Sequence, residues 1–298
     1  MNNTTSAKNA IQFRGISAFG LKLIALVCMT LDHIAAIGFE NPLVSRFDTP
    51  LRTVGRIAAP IFLFLLVESI RHTHNQKRFL LRLWLCGLCA ELFSTGMNLI
   101  FGEKFHYFTP SNILFTFFYT VLFVLLAERL ILACKARDLR RILLSVLLLA
   151  AAILPTLLNR VALSLFPGSA GSIRGVFLYQ GVVSSLLPAV TDVDYGIPFI
   201  LLGIILYFAG TKKRRCIVFG LFCLFCIVGN TLALLFPELY AVPYVGAYFT
   251  NTQPYMFLAL PFMLLYNGER GADCKWLFYL YYPLHREVLF LLFALMNA

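Results

Sequence analysis

The chain reads as an all-α protein, a polytopic bundle of about nine to eleven transmembrane helices with one re-entrant or broken segment. Three observations predict this class. Of 298 residues, 60% are hydrophobic and 13% charged, with a mean hydropathy of +0.81; a soluble domain carries about a quarter charged residues. The apolar residues come in continuous runs long enough to cross a bilayer, without the period-two alternation that a membrane barrel requires. The cations sit in short clusters between those runs, the charge pattern of a multi-pass membrane protein. A net charge of +11 distributed in this way points to a lipid surface, and no nucleic-acid partner is expected.

Residues 1–17 are polar and read as a cytosolic tail; 18–298 read as one membrane domain. The first helix spans about 18–39. Asn41-Pro42 and Asp48-Thr49-Pro50 mark a short loop. A second helix, about 53–70, carries Pro60 four residues after Arg56. A proline there cannot donate to the Arg56 carbonyl, so a kink is expected at that turn. The third helix covers about 80–100 and contains Glu91. The fourth, about 112–133, opens with Ser111-Asn112 as a cap. The fifth covers about 142–158. Between 159 and 195 lie Gly168, Gly171, Gly175 and Gly181, an apolar stretch, and Asp192 and Asp194; this is the re-entrant or broken segment, and two short spans there would raise the count to eleven. Further helices follow at about 196–211, 216–236, 254–266 and 276–296, with a Pro- and aromatic-rich loop at 237–252.

Cation counting sets the orientation. Placing 71–82, 135–141, 212–215 and 267–275 on the side of the N-terminus collects seventeen Lys and Arg there, against six on the other side (Arg46, Arg52, Arg56, Lys104, Arg160, Arg174). The rich side is expected to be the cytosolic face of a bacterial-type cytoplasmic membrane, N-terminus included. Eight cysteines are scattered without a disulfide pattern; Cys86-x-x-Cys89 and Cys223-x-x-Cys226 read as packing residues on helix faces. His72-x-His74 is a loop pair with no third ligand, and no metal is expected.

The ionisable residues inside apolar runs are the candidates for chemistry, because a charge near the bilayer centre costs on the order of 2.5–3.5 kcal/mol on insertion scales. In GLKLIALVCMTLDHIAAIG, 20–38, Lys22 and His33 are close to three helical turns apart, so they share one face, roughly 16 Å apart along the axis. The cation lies at one membrane edge and the imidazole near mid-bilayer. Asp32 sits about 100° round the helix from His33, too far to address one small site with it. Glu91 lies mid-span and either pairs with Arg56 or takes part in chemistry. His285, with Arg286 and Glu287, sits midway along the last helix; three adjacent ionisable residues cannot all face lipid. Asp194 lies on the outer side, where it either recognises an acceptor or caps the next helix. Glu68 and Glu128 read as local partners of Arg71 and Arg129.

Several segments together resemble one family. LKLIALVCMTLDHIAAIGF, LRTVGRIAAPIFLFLLVES with RHTHNQKRFLLRL, DYGIPFILLGIILYF and YNGERGADCKWLFYLYYPLH are similar to the TraX family, over almost the whole chain. That family is linked to N-terminal acetylation of conjugative pilin and stands among polytopic acyltransferases. Lys22 and His33 also resemble the basic-residue-x10-His arrangement of bacterial acyltransferase-3 proteins, with Lys where Arg is usual. The resemblance implies acyl transfer, with acetyl the expected group, from cytosolic acetyl-CoA to an acceptor at or across the membrane: a peptide amine, a glycan or a lipid-linked group.

Such chemistry needs a base, a donor for the developing oxyanion and a seat for an anionic coenzyme. His33 is expected as the base, or as an acylated intermediate in a two-step route. Arg56 is expected either to orient Asp32 or Glu91 or to polarise the thioester carbonyl, and His33, Asp32 and Arg56 form the expected catalytic set. Lys22, Arg71, Arg270 and Lys275, with Arg82, are placed to seat the coenzyme by their location. Glu91, Asn112, Asp194 and His285 are the expected acceptor-side residues. A transporter or flippase of a polar or lipid-linked substrate is the alternative, since polar residues in helices and a broken segment suit that class too; a non-catalytic envelope assembly protein is a third reading.

Overall fold

The computed structural model describes residues 15–105, 112–165, 175, 179–236, 238 and 252–296. The expectations for Lys8, Arg14, Gly168, Gly171, Arg174 and the loop through 251 lie outside these residues, as do the side chains of Lys104 and Lys275. The described chain is helical, with one isolated parallel bridge between Ile16 and Tyr266. Among the described residues, six helices are long and apolar enough to cross a membrane: Ala18–Ile37, Asp48–His72, Gln76–Phe101, Ile113–Lys135, Leu139–Ala162 and Lys212–Leu235. Two shorter apolar helices, Gly196–Phe208 and Gln253–Leu265, and the closing helix Lys275–Met296 complete the bundle. Thirteen residues span only about 20 Å, short of the ~30 Å hydrocarbon core, so the two short helices are inserted among longer ones rather than spanning alone.

The first helix, α1 (Ala18–Ile37), starts where Ser17 accepts from the Gly20 N–H at 3.3 Å and stops where the Gly38 N–H returns to the Ile34 carbonyl. Its first free N–H groups are also satisfied: Ala18 and Phe19 donate to the carbonyls of Glu269 and Arg270 at 2.8 and 3.1 Å. Residues 15–17 are therefore not a loose tail. They are stitched to 265–271, with Ile16 N–H on the Leu265 carbonyl and Asn267 N–H on the Ile16 carbonyl.

The expected loop at 41–50 is instead built from two short helices, α2 (Pro42–Arg46) and α3 (Asp48–Gly55). Asn41 caps α2 through the Leu43 N–H at 3.0 Å, with Pro42 in the first helical position. That signal was present in the sequence and reads as a helix start. The kink expected above Pro60 is a two-residue interruption: α3 ends at Gly55 and α4 (Ala58–His72) begins after Arg56-Ile57, both of which keep right-handed helical backbone angles. Ten residues of α4 are buried, distributed round all its faces, so α4 is the central helix of the bundle.

The remaining long helices are α5 (Gln76–Phe105), α6 (Ile113–Lys135) and α7 (Leu139–Leu165). After a π turn at Tyr179–Val183 come α8 (Ser184–Leu186), α9 (Gly196–Phe208) and α10 (Lys212–Leu235). A 3-10 turn Gln253–Ala259 leads into α11 (Leu260–Leu265), and α12 (Lys275–Met296) ends the described chain.

The segment 179–195 is irregular, and its backbone is satisfied by the helices around it, as membrane depth demands. Tyr119 Oη donates to the Pro188 carbonyl, the Val190 N–H to Thr156 Oγ1 at 2.9 Å, and Thr116 Oγ1 to the Asp194 carbonyl at 2.6 Å. Asn159 and Arg160 of α7 reach Ser184 and Asp192. The latter half of α7 and the start of α9 thus lie at the same end of the bundle.

Three further hydrogen bonds fix the topology. Lys212 Nζ donates to the Leu264 and Tyr266 carbonyls, and Arg71 to the Tyr207 carbonyl, so 15–19, 71, 207–215 and 264–271 share one end. This is the end to which charge counting assigned the cations. Helices α1 and α12 run parallel, since Lys22 meets Phe278, Thr30 meets Tyr281 and His33 meets His285 in ascending order on both.

Candidate functional site

Away from the cation-rich end, the bundle gathers ionisable residues from five elements into one region. From α1, His33 Nδ1 lies 2.9 Å from His285 Nε2 of α12, with the two rings 4.8 Å apart and tilted by 57°. His285 is buried, while His33 keeps partial exposure. The other ring nitrogen of His285 lies 2.9 Å from the Tyr281 carbonyl, and the Tyr281 ring stacks on the imidazole at 5.1 Å and 8°. Tyr281 Oη lies 2.6 Å from Thr30 Oγ1. Helix α1 therefore presents Lys22, Thr30 and His33 to α12, and the shared face read from the sequence is the seam between the two helices.

Asp32 leaves that seam. Its carboxylate accepts from Arg56 Nη2 at 2.7 Å and faces Arg52 Nη1 at 3.5 Å. The hundred-degree separation on α1 thus directs His33 to α12 and Asp32 to α3. Gly55 makes the approach possible, because a Cβ there would run into the Asp32 side chain. Arg56 also donates to Gln253 Oε1 at 3.4 Å, and its guanidinium lies 5.9 Å from the Tyr195 ring centroid. Its Nε is buried and has no hydrogen-bond partner among the described residues. Tyr195 stands just before α9 with φ at 58°, a left-handed conformation that is costly for a bulky residue. The expected capping of α9 by an aspartate is not made. Tyr195 occupies the cap position without a side-chain bond, and Asp192 pairs with Arg160 at 3.2 Å.

Glu91 does not pair with Arg56. It lies beside Asn112 and within the electrostatic reach of Arg286 and Asp194. Asn112 caps α6 through the Leu114 N–H at 2.9 Å, donates to the Gly87 carbonyl at 2.9 Å and accepts from Tyr282 Oη at 3.1 Å. Its side chain also hydrogen-bonds Glu91, so Asn112 joins α5, α6 and α12 at the edge of this region. His33, Asp32, Arg56, Glu91, Asp194 and His285 are all brought into this region. Sequence reasoning missed Thr30, Tyr281, Arg52, Gln253 and Tyr195. Thr30 and Tyr281 were legible as the residues one helical turn before His33 and His285; Gln253 and Tyr195 carried no signal.

The expected coenzyme residues are not gathered in the same way. Lys22 Nζ lies 5.2 Å from the centroid of the Phe278 ring, on the seam. Arg71 is turned to α9, donating to the Tyr207 carbonyl at 2.8 Å and lying over that ring. Arg270 pairs with Asp273 at 2.9 Å. The 267–271 loop offers the carbonyls of Glu269 and Arg270 to the start of α1. Two local pairs expected from spacing also differ. Glu68 bonds the buried Arg215 of α10 and approaches His72 at 3.6 Å, and Glu128 accepts from Tyr207 Oη at 2.5 Å. Long-range partners win because α9 and α10 pack their polar groups against these carboxylates and remove them from water.

Comparison with known proteins gives two matches. The family model described as TraX protein matches residues 17–166 and 181–293. The "Probable fimbrial assembly protein FimC, serogroup H1" of Dichelobacter nodosus is 28% identical over 281 residues, covering 92% of this chain and 94% of that protein. No solved structure matches.

Proposed function

This chain belongs to the TraX family, and from that premise we propose that it is an integral-membrane acyltransferase moving an acetyl group from acetyl-CoA to an amine or hydroxyl acceptor. The observation that carries the reading is the His33–His285 pair, seated on the same α1–α12 seam as Lys22. Lys22 lies roughly 16 Å from His33 along α1, a distance suited to a long thioester arm whose anionic head stays at the cation-rich end.

In this reading His33 takes the proton of the acceptor N–H or O–H as that atom attacks the thioester carbonyl. Arg56, held by Asp32, supplies positive charge and its Nε–H to the oxygen that becomes anionic. The tetrahedral species collapses with cleavage of the C–S bond, and the proton on His33 passes to the departing thiolate. The name of the FimC relative supports a fimbrial subunit among the possible acceptors. The cation-rich end faces the cytosol, which places the coenzyme's head on the side where the coenzyme is made.

The test is transfer of radiolabel from [14C]acetyl-CoA by the protein purified in detergent, with membrane extract as acceptor source. Label transfer that is lost in H33A supports the reading. Failure of the wild-type protein to transfer label or release coenzyme A thiol overturns it, and substrate movement across proteoliposomes without transfer would put a transporter in its place. Cysteine labelling checks the orientation independently: K213C is expected to be protected from an external impermeant reagent, and F47C to react.

A further inference from the structure

We propose that His285 is a positioning residue: it locks His33 in the Nδ1–H tautomer and thereby leaves the His33 Nε2 lone pair as the base. The role of that lone pair rests on the acyl-transfer reading above; the lock itself stands on geometry. A carbonyl oxygen only accepts, so the His285 Nδ1, 2.9 Å from the Tyr281 carbonyl, carries a hydrogen. Neither imidazole has a carboxylate within ion-pair distance among the described residues. An unpaired buried cation is costly, so His285, 6% exposed, is neutral and holds one N–H only. Its Nε2 is then a lone pair. That lone pair faces His33 Nδ1 at 2.9 Å, so His33 Nδ1 carries the hydrogen and His33 Nε2 does not.

The chain of constraint closes on itself. Thr30 Oγ1 donates its one hydrogen to the Leu26 carbonyl at 2.8 Å, so Tyr281 Oη donates to Thr30. Tyr281 in turn holds His285 twice, by its carbonyl and by the near-parallel ring. His285 then holds His33, which stands on the same helix as Thr30. The lock therefore needs no group beyond α1 and α12. When His33 Nε2 takes the acceptor's proton, the bond from Nδ1–H to His285 becomes charge-assisted and shortens. The proton leaves from Nε2 to the thiolate sulfur, and the tautomer is the one it started from.

The test is solid-state NMR of the full chain in lipid bilayers with 15N-labelled histidine, above the pH at which imidazole protonates, with His33 assigned by the signals missing in H33A. His33 is expected to carry its proton on Nδ1. His285→Phe removes the acceptor and should move that proton to Nε2 or to a mixture. His285→Gln places an amide oxygen where Nε2 stood, and should keep Nδ1–H on His33 and recover transfer. In the same variants, turnover should fall in H285F by up to the share of the base itself, roughly 10²–10⁴-fold, with the acetyl-CoA KM unchanged. A wild-type His33 protonated on Nε2 overturns the proposal even if H285F fails to fold, and so does an Nδ1–H that persists in folded H285F. A locked Nδ1–H in a protein without transfer activity would support the lock while sinking the acyltransferase reading.

Discussion

Two of the bundle's polar networks are built on different terms. At the cation-rich end, Arg215 is 1% exposed, donates from Nε to the Leu206 carbonyl at 3.1 Å and pairs with Glu68. Tyr207 joins Glu128, and Arg71 joins the Tyr207 carbonyl. None of these residues has a buried polar atom without a partner among those described. In the other network, His33 Nε2 makes no hydrogen bond among the described residues, Arg56 Nε is buried and unbonded, and Tyr195 sits in a left-handed conformation. The first network is closed and ties α4, α9 and α10 together. The second keeps donor and acceptor capacity in reserve. Burial of charge inside a membrane protein is therefore not enough to mark a site; unspent hydrogen-bonding capacity separates the two.

The largest effect expected from this contrast is at His33. H33A should lose on the order of 10²–10⁴-fold in transfer rate, while stability changes by only about 0.6 kcal/mol, the usual worth of one hydrogen bond between membrane helices. H33Q keeps polarity but takes no proton, and should be nearly as inactive. Transfer assays and thermal melts of both variants would break the comparison if H33Q were active and only H33A melted early, because His33 would then be a fastener like Arg215.

The closed network should respond in the opposite sense. E68A leaves the Arg215 cation buried and uncompensated, at a cost of about 3–5 kcal/mol. Replacing both partners, E68L with R215M, should recover most of that loss, and the folded fraction of either protein should transfer at the normal rate. Melting curves combined with activity per folded molecule test this; a specific activity that falls with E68A would put the ion pair in the site. A smaller effect is expected at Gly55. G55A inserts a methyl where Asp32 packs and should cost about 1–3 kcal/mol, loosening Asp32 from Arg56. An unchanged melt and rate would mean that the α1–α3 approach does not hold the pair.

The fold was legible because membrane burial writes itself into long apolar runs, and because Asn112 and Pro60 carry local rules; Asn41-Pro42, expected to mark a loop, instead starts α2. The site was legible for the same reason of cost: His33, Asp32, Arg56, Glu91 and His285 stand out since apolar helices have no structural need of them. Their pairing was not legible. Spacing along one helix gave the Lys22–His33 face, but whether Glu68 meets Arg71 or Arg215 depends on how α10 docks, which no local pattern encodes. The two short helices were legible too: about 196–211 and 254–266 were expected, against the observed Gly196–Phe208 and Gln253–Leu265. Tyr195 was invisible, since a left-handed tyrosine is imposed by the packing around it.

The smallest expected effect tests whether the seam extends the open network to the cation-rich end. Among the expected coenzyme residues whose side chains are described, Lys22 is the one seated on the α1–α12 seam, with Nζ 5.2 Å from the Phe278 ring centroid. If it holds an anionic group of acetyl-CoA, K22M keeps the stem against Phe278 and removes only the charge. Losing one charge-assisted contact of about 1.5 kcal/mol should raise the acetyl-CoA KM about tenfold with little change in turnover, the signature of lost uniform binding. K22R should be tolerated, and the KM of K22M should be less sensitive to salt than that of wild type, because one screened attraction is gone. If Lys22 is only a cation–π anchor, K22M and K22R should differ by ~0.5–1 kcal/mol in stability with identical KM values. Steady-state kinetics at two salt concentrations, set beside melting curves, decides between a coenzyme seat and a second fastener.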